Sequence, residues 1–219
     1  MASTTEENYL KALYNLSNTQ GEVNISELAL SLKVSMPTAN SMVKSLQKSD
    51  WVIYEKYKPV TLTPKGQKEA ALIIRKHRLT EMFLVKKMGF GWEEVHEVAE
   101  QIEHIHAPKF FERMDEMLGY PTMDPHGSPI PDNQGRMKEF SYTPLSTCKP
   151  GQTVQLTALT NSSTEFLEFL NSRKLALGTE LKVLSREVYD LSLVVSYANH
   201  PNETLSEKVS ERLLVRILK

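Results

Sequence analysis

The sequence predicts a mainly α N-terminal part followed by a small β-barrel. Three observations carry that expectation. Apart from residues 51–63, apolar residues recur at helical spacing from residue 5 to about residue 118, prolines and glycines crowd residues 120–150, and beyond Gly151 apolar and polar residues alternate at the period of a strand. A chain of 219 residues has room for one large domain or two to three small ones.

Composition narrows the class. The single cysteine, Cys148, excludes an intramolecular disulfide and fits a reducing compartment. The polar start, with Glu6 and Glu7, lacks the basic and apolar regions of a signal peptide, and no stretch approaches the ~20 apolar residues of a membrane span. A cytoplasmic protein without a membrane partner is expected. The net charge of −1 conceals an asymmetry: residues 1–88 carry 13 Lys and Arg against 8 Asp and Glu, and residues 89–145 carry 4 against 11. A basic front and an acidic middle suggest a polyanion-binding part beside a cation-binding part.

The first helix is expected over residues 5–16, where Tyr9, Leu10, Leu13, Tyr14 and Leu16 form one stripe behind Thr5 as N-cap. Ser26 to Leu32 reads as a second, short helix. After the turn at Lys33-Val34, Ser35 caps a third helix with Pro37 in its first turn, running to about Ser49. Ala39, Met42, Val43 and Leu46 form its inner face. Two short helices about a tight turn, the second headed by small polar residues, make a helix-turn-helix. Trp51 to Thr63 then reads as a hairpin with Tyr57-Lys58-Pro59 near its tip, so the whole is a winged helix. On this reading Ser35, Pro37, Thr38, Asn40 and Ser41 head the helix that approaches base edges, and Lys44, Lys48, Lys56 and Lys58 meet phosphates. The same architecture also serves protein contacts.

Thr63 and Pro64 open a long helix to about Lys87, broken by Gly89 and Gly91, and Trp92 to Ala107 forms the next, stopped by Pro108. His77 and Glu81 are one helical turn apart on the first. His96, Glu100, Glu103 and His104 follow an i, i+4, i+7, i+8 pattern on the second, which at ~3.6 residues per turn places all four on one face. Imidazole with carboxylate suits Mn(II), Fe(II), Zn(II) or Co(II); a solvated helix face is the alternative. His106 lies ~200° round from His104 and reads as a surface or dimer-packing residue. Phe110, Phe111, Met114, Met117 and Leu118 form an apolar stripe on a further helix ending at Gly119, expected to build a homodimer interface or to pack within the chain.

Residues 121–150 read as a linker, partly ordered at best, in which Asp124 and His126 are expected to be solvated, with contact to a metal ion the alternative. Strands follow at Thr153–Leu159, Glu180–Arg186, Val188–Tyr197 and Leu213–Leu218, with one helix at about Thr164–Ser172, an arrangement that suggests a barrel of SH3 type. The expected domains are a winged helix-turn-helix over 1–73, a helical dimerisation and metal-binding domain over 74–120, the linker over 121–150 and an SH3-like, FeoA-like domain over 151–219.

With these residues laid out, the chain resembles the diphtheria-toxin-repressor and manganese-transport-regulator family of metal-dependent repressors. The resemblance rests on Arg75-Lys76-His77-Arg78-Leu79-Thr80-Glu81, on Val95-His96 through Glu103-His104, and on Pro125-His126-Gly127-Ser128-Pro129-Ile130-Pro131. It implies a non-enzymatic regulator with two metal sites per subunit. One is His77, Glu81 and His96, completed in some members from the SH3-like domain, where Glu165 and Glu168 are candidates. The other is Glu100, Glu103 and His104 with a first-helix residue, here Asn8. Glu100 stands where iron-sensing members carry cysteine, which points to Mn(II) as cofactor, with Fe(II) the alternative. Asn8 and Lys11 depart from the acidic residues of manganese sensors, and Glu7 or Glu6 is placed to substitute. The resemblance further implies that a metal-loaded dimer sets two winged helices ~34 Å apart on operator DNA and represses metal-uptake genes. A reading from another class, a di-metal carboxylate enzyme, takes Glu93-x-x-His96 and Glu103-x-x-His106 as its motif. That chemistry needs the two copies on separate helices, and here both fall on one.

Overall fold

The computed structural model describes residues 2–138 and 140–218. They form two compact units. The first comprises residues 2–80, 98–122 and 130–138, and the second residues 81–97, 123–129 and 140–218.

In the first unit, α1 (Thr4–Gln20), α2 (Ile25–Ser31) and α3 (Met36–Lys48) precede a two-stranded wing of β1 (Val52–Ile53) and β2 (Thr61–Leu62). The cap of α1 is Ser3 rather than Thr5. Its hydroxyl accepts from the Glu6 N–H at 3.3 Å and its own N–H donates to the Glu6 carboxylate at 2.9 Å, a reciprocal capping box. Ser35 caps α3 by accepting from the Thr38 N–H. The wing is shorter than the expected hairpin, with only Val52↔Leu62 and Ile53↔Thr61 in register. Val60 pairs with Val23 instead, exchanging both backbone hydrogen bonds at 2.9 and 2.8 Å, while Pro59 has no N–H to give to a ladder. Leu10, Leu13, Leu28, Val43, Leu46, Val52 and Val60 close the core between helices and wing.

Helix α4 (Pro64–Phe83) begins as expected, with Thr63 Oγ1 accepting from the Gly66 N–H at 3.0 Å. Its last turn widens into a π-turn, Leu84–Met88, and stops at Gly89 with φ +75°. Helix α5 (Val95–Ile102) is shorter at both ends than the expected Trp92–Ala107. At its start Gly91 N–H donates to the Glu94 carboxylate, folding residues 92–94 into a turn. At its end Glu103 and His104 lie in a turn closed by the Ile105 N–H on the Ile102 carbonyl, and Ala107 is held out of the helical region by Pro108. Helix α6 (Pro108–Leu118) ends at Gly119 with φ +73°. Phe111 and Met114 pack within the chain, while Phe110 and Met117 are 44% and 56% exposed. Arg75 holds α4 to this part of the unit, donating to the Asp115 carboxylate at 2.5 Å and to the Pro131 carbonyl at 2.7 Å.

The second unit contains a six-stranded antiparallel sheet in the order β3-β8-β4-β5-β6-β7. Its strands are β3 (Thr143–Pro144), β4 (Thr153–Leu159), β5 (Glu180–Arg186), β6 (Leu193–Tyr197), β7 (His200–Leu205) and β8 (Leu213–Ile217), with α7 (Thr164–Ser172) and a short α8 (Glu207–Ser210). The fold class is thus a helical N-terminal part with an SH3-like C-terminal domain. The expected strand at Val188–Tyr197 starts only at Leu193, because Asp190 accepts from both the N–H and the hydroxyl of Ser192 and makes a turn there. Strands β3 and β7 are edge strands whose polar residues hide the alternation. Leu156, Leu167, Leu170, Leu181, Val183, Val195 and Leu213 fill the core, with Cys148 buried among them. No described helix is long and apolar enough to cross a membrane.

Gly66 is the tightest backbone approach in the winged helix: a Cβ there would lie 1.9 Å from the Trp51 carbonyl oxygen. Gly66→Ala is expected to lower the stability of the first unit by about 1–3 kcal/mol, read as a lower thermal midpoint by circular dichroism.

Candidate metal centres and DNA-binding face

In the second unit, Glu81 on the last part of α4 meets the segment 123–129. Asp124 and His126 are buried, only 4% and 3% exposed, rather than solvated as a proline-flanked loop suggests. Three features hold them. Asp124 Oδ1 accepts from the N–H groups of His126 (2.8 Å) and Ser128 (2.9 Å), folding the segment on itself. The His126 carbonyl accepts from the Leu159 N–H at the end of β4. Gly127, with φ +84°, lies so close to β4 that a Cβ would stand 2.3 Å from the Thr157 carbonyl oxygen.

His126 Nε2 is 2.9 Å from the Trp92 carbonyl oxygen. A carbonyl only accepts, so Nε2 carries the proton, and in the neutral ring Nδ1 keeps its lone pair. That nitrogen faces Glu81, whose Oε2 is 3.8 Å away. Ligand atoms of Glu81, Asp124 and His126 all lie within 4.8 Å of one another. Two carboxylates and an imidazole lone pair converging out of water form a donor set that a divalent cation would fit. Oxygen and imidazole donors with a backbone carbonyl behind the histidine are the chemistry of a first-row divalent site. His96, half exposed, adds its Nδ1 3.3 Å from Glu81 Oε1. With Glu93, Glu165 and Glu168 it lines a cavity of ≈ 890 Å³.

The first unit holds the second cluster. Glu103 is fully buried, and Lys11 from α1 donates to both of its oxygens at 2.8 Å and also to Glu100. His77 Nδ1 is 2.5 Å from Glu103 Oε2. Burial works to raise the pKa of Glu103, but the His77 hydrogen bond and the Lys11 charge outweigh it and hold the carboxyl below the usual range. His104 Nδ1 is 2.5 Å from Glu7 Oε2, which places the lone pair of the neutral ring on Nε2, 3.7 Å from Glu103 Oε1. Asn8 Oδ1 is buried and has no hydrogen-bond partner among the described residues, the state of a donor oxygen whose acceptor role is unfilled. Glu7 is buried and bonded to His104, so it supports the cluster from behind; Glu6 is spent on the helix cap. His106 is exposed, as expected.

On α3, Pro37, Thr38, Ser41, Lys44 and Lys48 are exposed on one side, with Ser35 at the head. Asn40 differs from expectation: its Oδ1 accepts from the Tyr54 hydroxyl at 2.7 Å, anchoring α3 to the wing. Gln47, absent from the expected set, donates to the Tyr54 carbonyl at 2.9 Å. On the wing, Lys58 pairs with Glu55 at 2.6 Å, which raises its pKa and keeps it charged, and Lys56 covers the ring of the exposed Tyr57.

Three sequence profiles match in succession. Residues 1–60 fit the N-terminal DNA-binding domain of the iron-dependent repressors, 63–132 their metal-binding and dimerisation domain, and 143–217 the FeoA domain. The regulator MntR of Bacillus velezensis is 29% identical over 152 residues, 69% of this chain and all of that protein. The iron-dependent repressor IdeR of Mycobacterium leprae is 31% identical over 159 residues, 73% of this chain and 67% of the relative. Among solved structures, a manganese-dependent transcriptional repressor in complex with manganese superposes with a TM-score of 0.87 at 30% identity, covering 97% of this chain and 100% of the other. The IdeR of T. acidophilum gives 0.76 at 27% identity, covering 99% and 100%. A winged helix joined to clustered carboxylates and imidazoles, with likeness of this extent along the whole chain, leaves one conclusion: the chain belongs to the diphtheria-toxin-repressor and manganese-transport-regulator family of metal-dependent transcriptional repressors.

Proposed function

We propose that this chain is a Mn(II)-responsive repressor that binds operator DNA as a homodimer in the cytoplasm and represses metal-uptake genes. The observation that carries the choice of metal is the convergence of Glu81, Asp124 and His126, a buried set of hard oxygen and imidazole donors without a thiolate. Such donors suit Mn(II), whereas sulfur favours softer and more competitive ions. Fe(II) accepts the same donors and is the alternative effector.

Two ions per subunit are proposed. Glu81, Asp124 and His126 hold one, with His77 and His96 beside Glu81 in the family's set and Glu165 and Glu168 facing the same cavity as His96. Glu100, Glu103, His104 and Asn8 hold the other, supported by the unfilled Asn8 oxygen. Each ion supplies two positive charges and a fixed coordination geometry. The residues do the rest: Trp92 and Glu7 set the histidine tautomers, Asp124 orders its own turn, and α1 brings Asn8 and Lys11 to the acidic cluster while contributing Leu10 and Leu13 to the winged-helix core. The state of the cluster therefore bears on how the DNA-binding helices are held. Thr38 and Ser41 face bases, with Ser35, Pro37 and Asn40 shaping the head of α3. Lys44, Lys48, Lys56 and Lys58 meet phosphates. The exposed Phe110 and Met117 form the homodimer contact within the proposed 74–120 domain, followed by the 121–150 linker and the 151–219 domain.

The test is a DNA-binding titration on a metal-transporter promoter, run metal-free, with Mn(II) and with anaerobic Fe(II). Tightening by Mn(II) at the lower concentration is expected; tightening by Fe(II) first would transfer the effector role to iron, and indifference to both would remove the sensor. Asp124→Asn keeps an oxygen for the two backbone donors but loses the anionic one. It is expected to fold normally and to bind Mn(II) at least about tenfold more weakly by calorimetry. His104→Ala is expected to abolish the metal response of DNA binding while circular dichroism stays unchanged. Lys44→Ala should weaken binding to all sequences alike and lower the salt slope by about one ion, measured by fluorescence anisotropy at several salt concentrations.

A further inference from the structure

Trp92 lies in the turn before α5 and touches the metal-site histidine in two ways. Its carbonyl accepts a hydrogen bond from the Nε2–H of His126, and its indole stacks on the His126 ring with centroids 6.0 Å apart and planes 21° from parallel. The far edge of the indole is fixed as well, since Nε1 donates to Asn171 Oδ1 at 2.8 Å and the ring packs against the barrel core. The next residue repeats the attachment at the other end of the same helix, its Glu93 carbonyl accepting from Thr164 Oγ1 at 3.4 Å. Helix α7 thus holds residues 92–93 at both of its ends, and residue 92 holds His126.

We propose that Trp92 is a positioning residue for His126, and that its bond to Asn171 couples occupancy of the Glu81–Asp124–His126 site to α7 of the SH3-like domain. The physical ground is the softness of the histidine's other restraints. A hydrogen bond through Nε2 sets the direction of Nδ1 but leaves the ring free to rotate about that bond; a stacked indole removes the rotation and fixes the lone pair. The indole's plane is set by its own N–H bond together with the core packing, and the group that accepts the bond is on α7. By linkage, a metal ion that is held better when this chain of contacts is intact also strengthens the contacts.

The proposal rests on the metal reading above, and its test separates the two. Mn(II) binding to the full chain is measured by calorimetry for wild type, Asn171→Ala, Trp92→Phe and the double variant, with thermal midpoints of each in the metal-free state. Asn171→Ala removes the acceptor and Trp92→Phe removes the donor while keeping a ring over His126. Each is expected to weaken Mn(II) binding by about three- to tenfold, and the double variant by no more than either single one, because both delete the same bond. In a Trp51→Phe background the emission of Trp92, then the remaining tryptophan, is expected to change on Mn(II) addition with the calorimetric midpoint. Thermal midpoints that fall while Mn(II) affinity stays at the wild-type value would reduce Trp92 to a packing residue and overturn the proposal, as would additive losses in the double variant. A wild-type chain that takes up no Mn(II) would instead overturn the metal reading and remove this proposal with it.

Discussion

Burying a carboxylate costs several kcal/mol unless cations or donors meet it, and Glu103 is buried completely. Lys11 from α1 and His77 from α4 meet it, and that three-way contact joins the first helix of the chain to the long helix and to the turn after α5. Much of the first unit follows from it. Helix α1 carries Leu10 and Leu13 into the winged-helix core on one face and presents Asn8 and Lys11 on another. The charge state of an internal cluster and the seating of DNA-binding helices are therefore properties of one helix. Glu7 extends the arrangement, buried between His104 and the more distant Lys76 ammonium at 3.6 Å.

The second unit solves the same electrostatic problem differently. Glu81, Asp124 and His126 converge, and backbone groups hold two of them, through the tautomer of His126 and the turn at Asp124. In the first cluster Lys11 lies against the carboxylates as a cation; in the second, the Nδ1 of His126 faces Glu81.

Legibility in the sequence followed the range of the interactions. Helices α1 to α4 and α6 were readable because their signals are local: Ser35 as a cap, Thr63-Pro64 at a start, Gly119 at an end. His77, Glu81, His96, Glu100, Glu103 and His104 were readable from helical spacing, and their place in a repressor from the family resemblance they carry. Lys11 was visible only as a departure from acidic residues in manganese sensors, and spacing offered no sign that it donates to both oxygens of Glu103, 92 positions away.

By itself the sequence determined the two-part architecture, the helix-turn-helix and most of the candidate ligands, since periodicity, capping and charge patterning act within a few residues of one another. Only the tertiary structure decided that Asp124 and His126 are buried against β4, that α5 ends before Glu103, that Asn40 serves the wing rather than facing outward, and that Trp92 links His126 to α7. Except for the end of α5, where Pro108 acts nearby, each depends on a partner in another element. A loop residue's burial is decided by what the fold brings over it, and no local pattern records that.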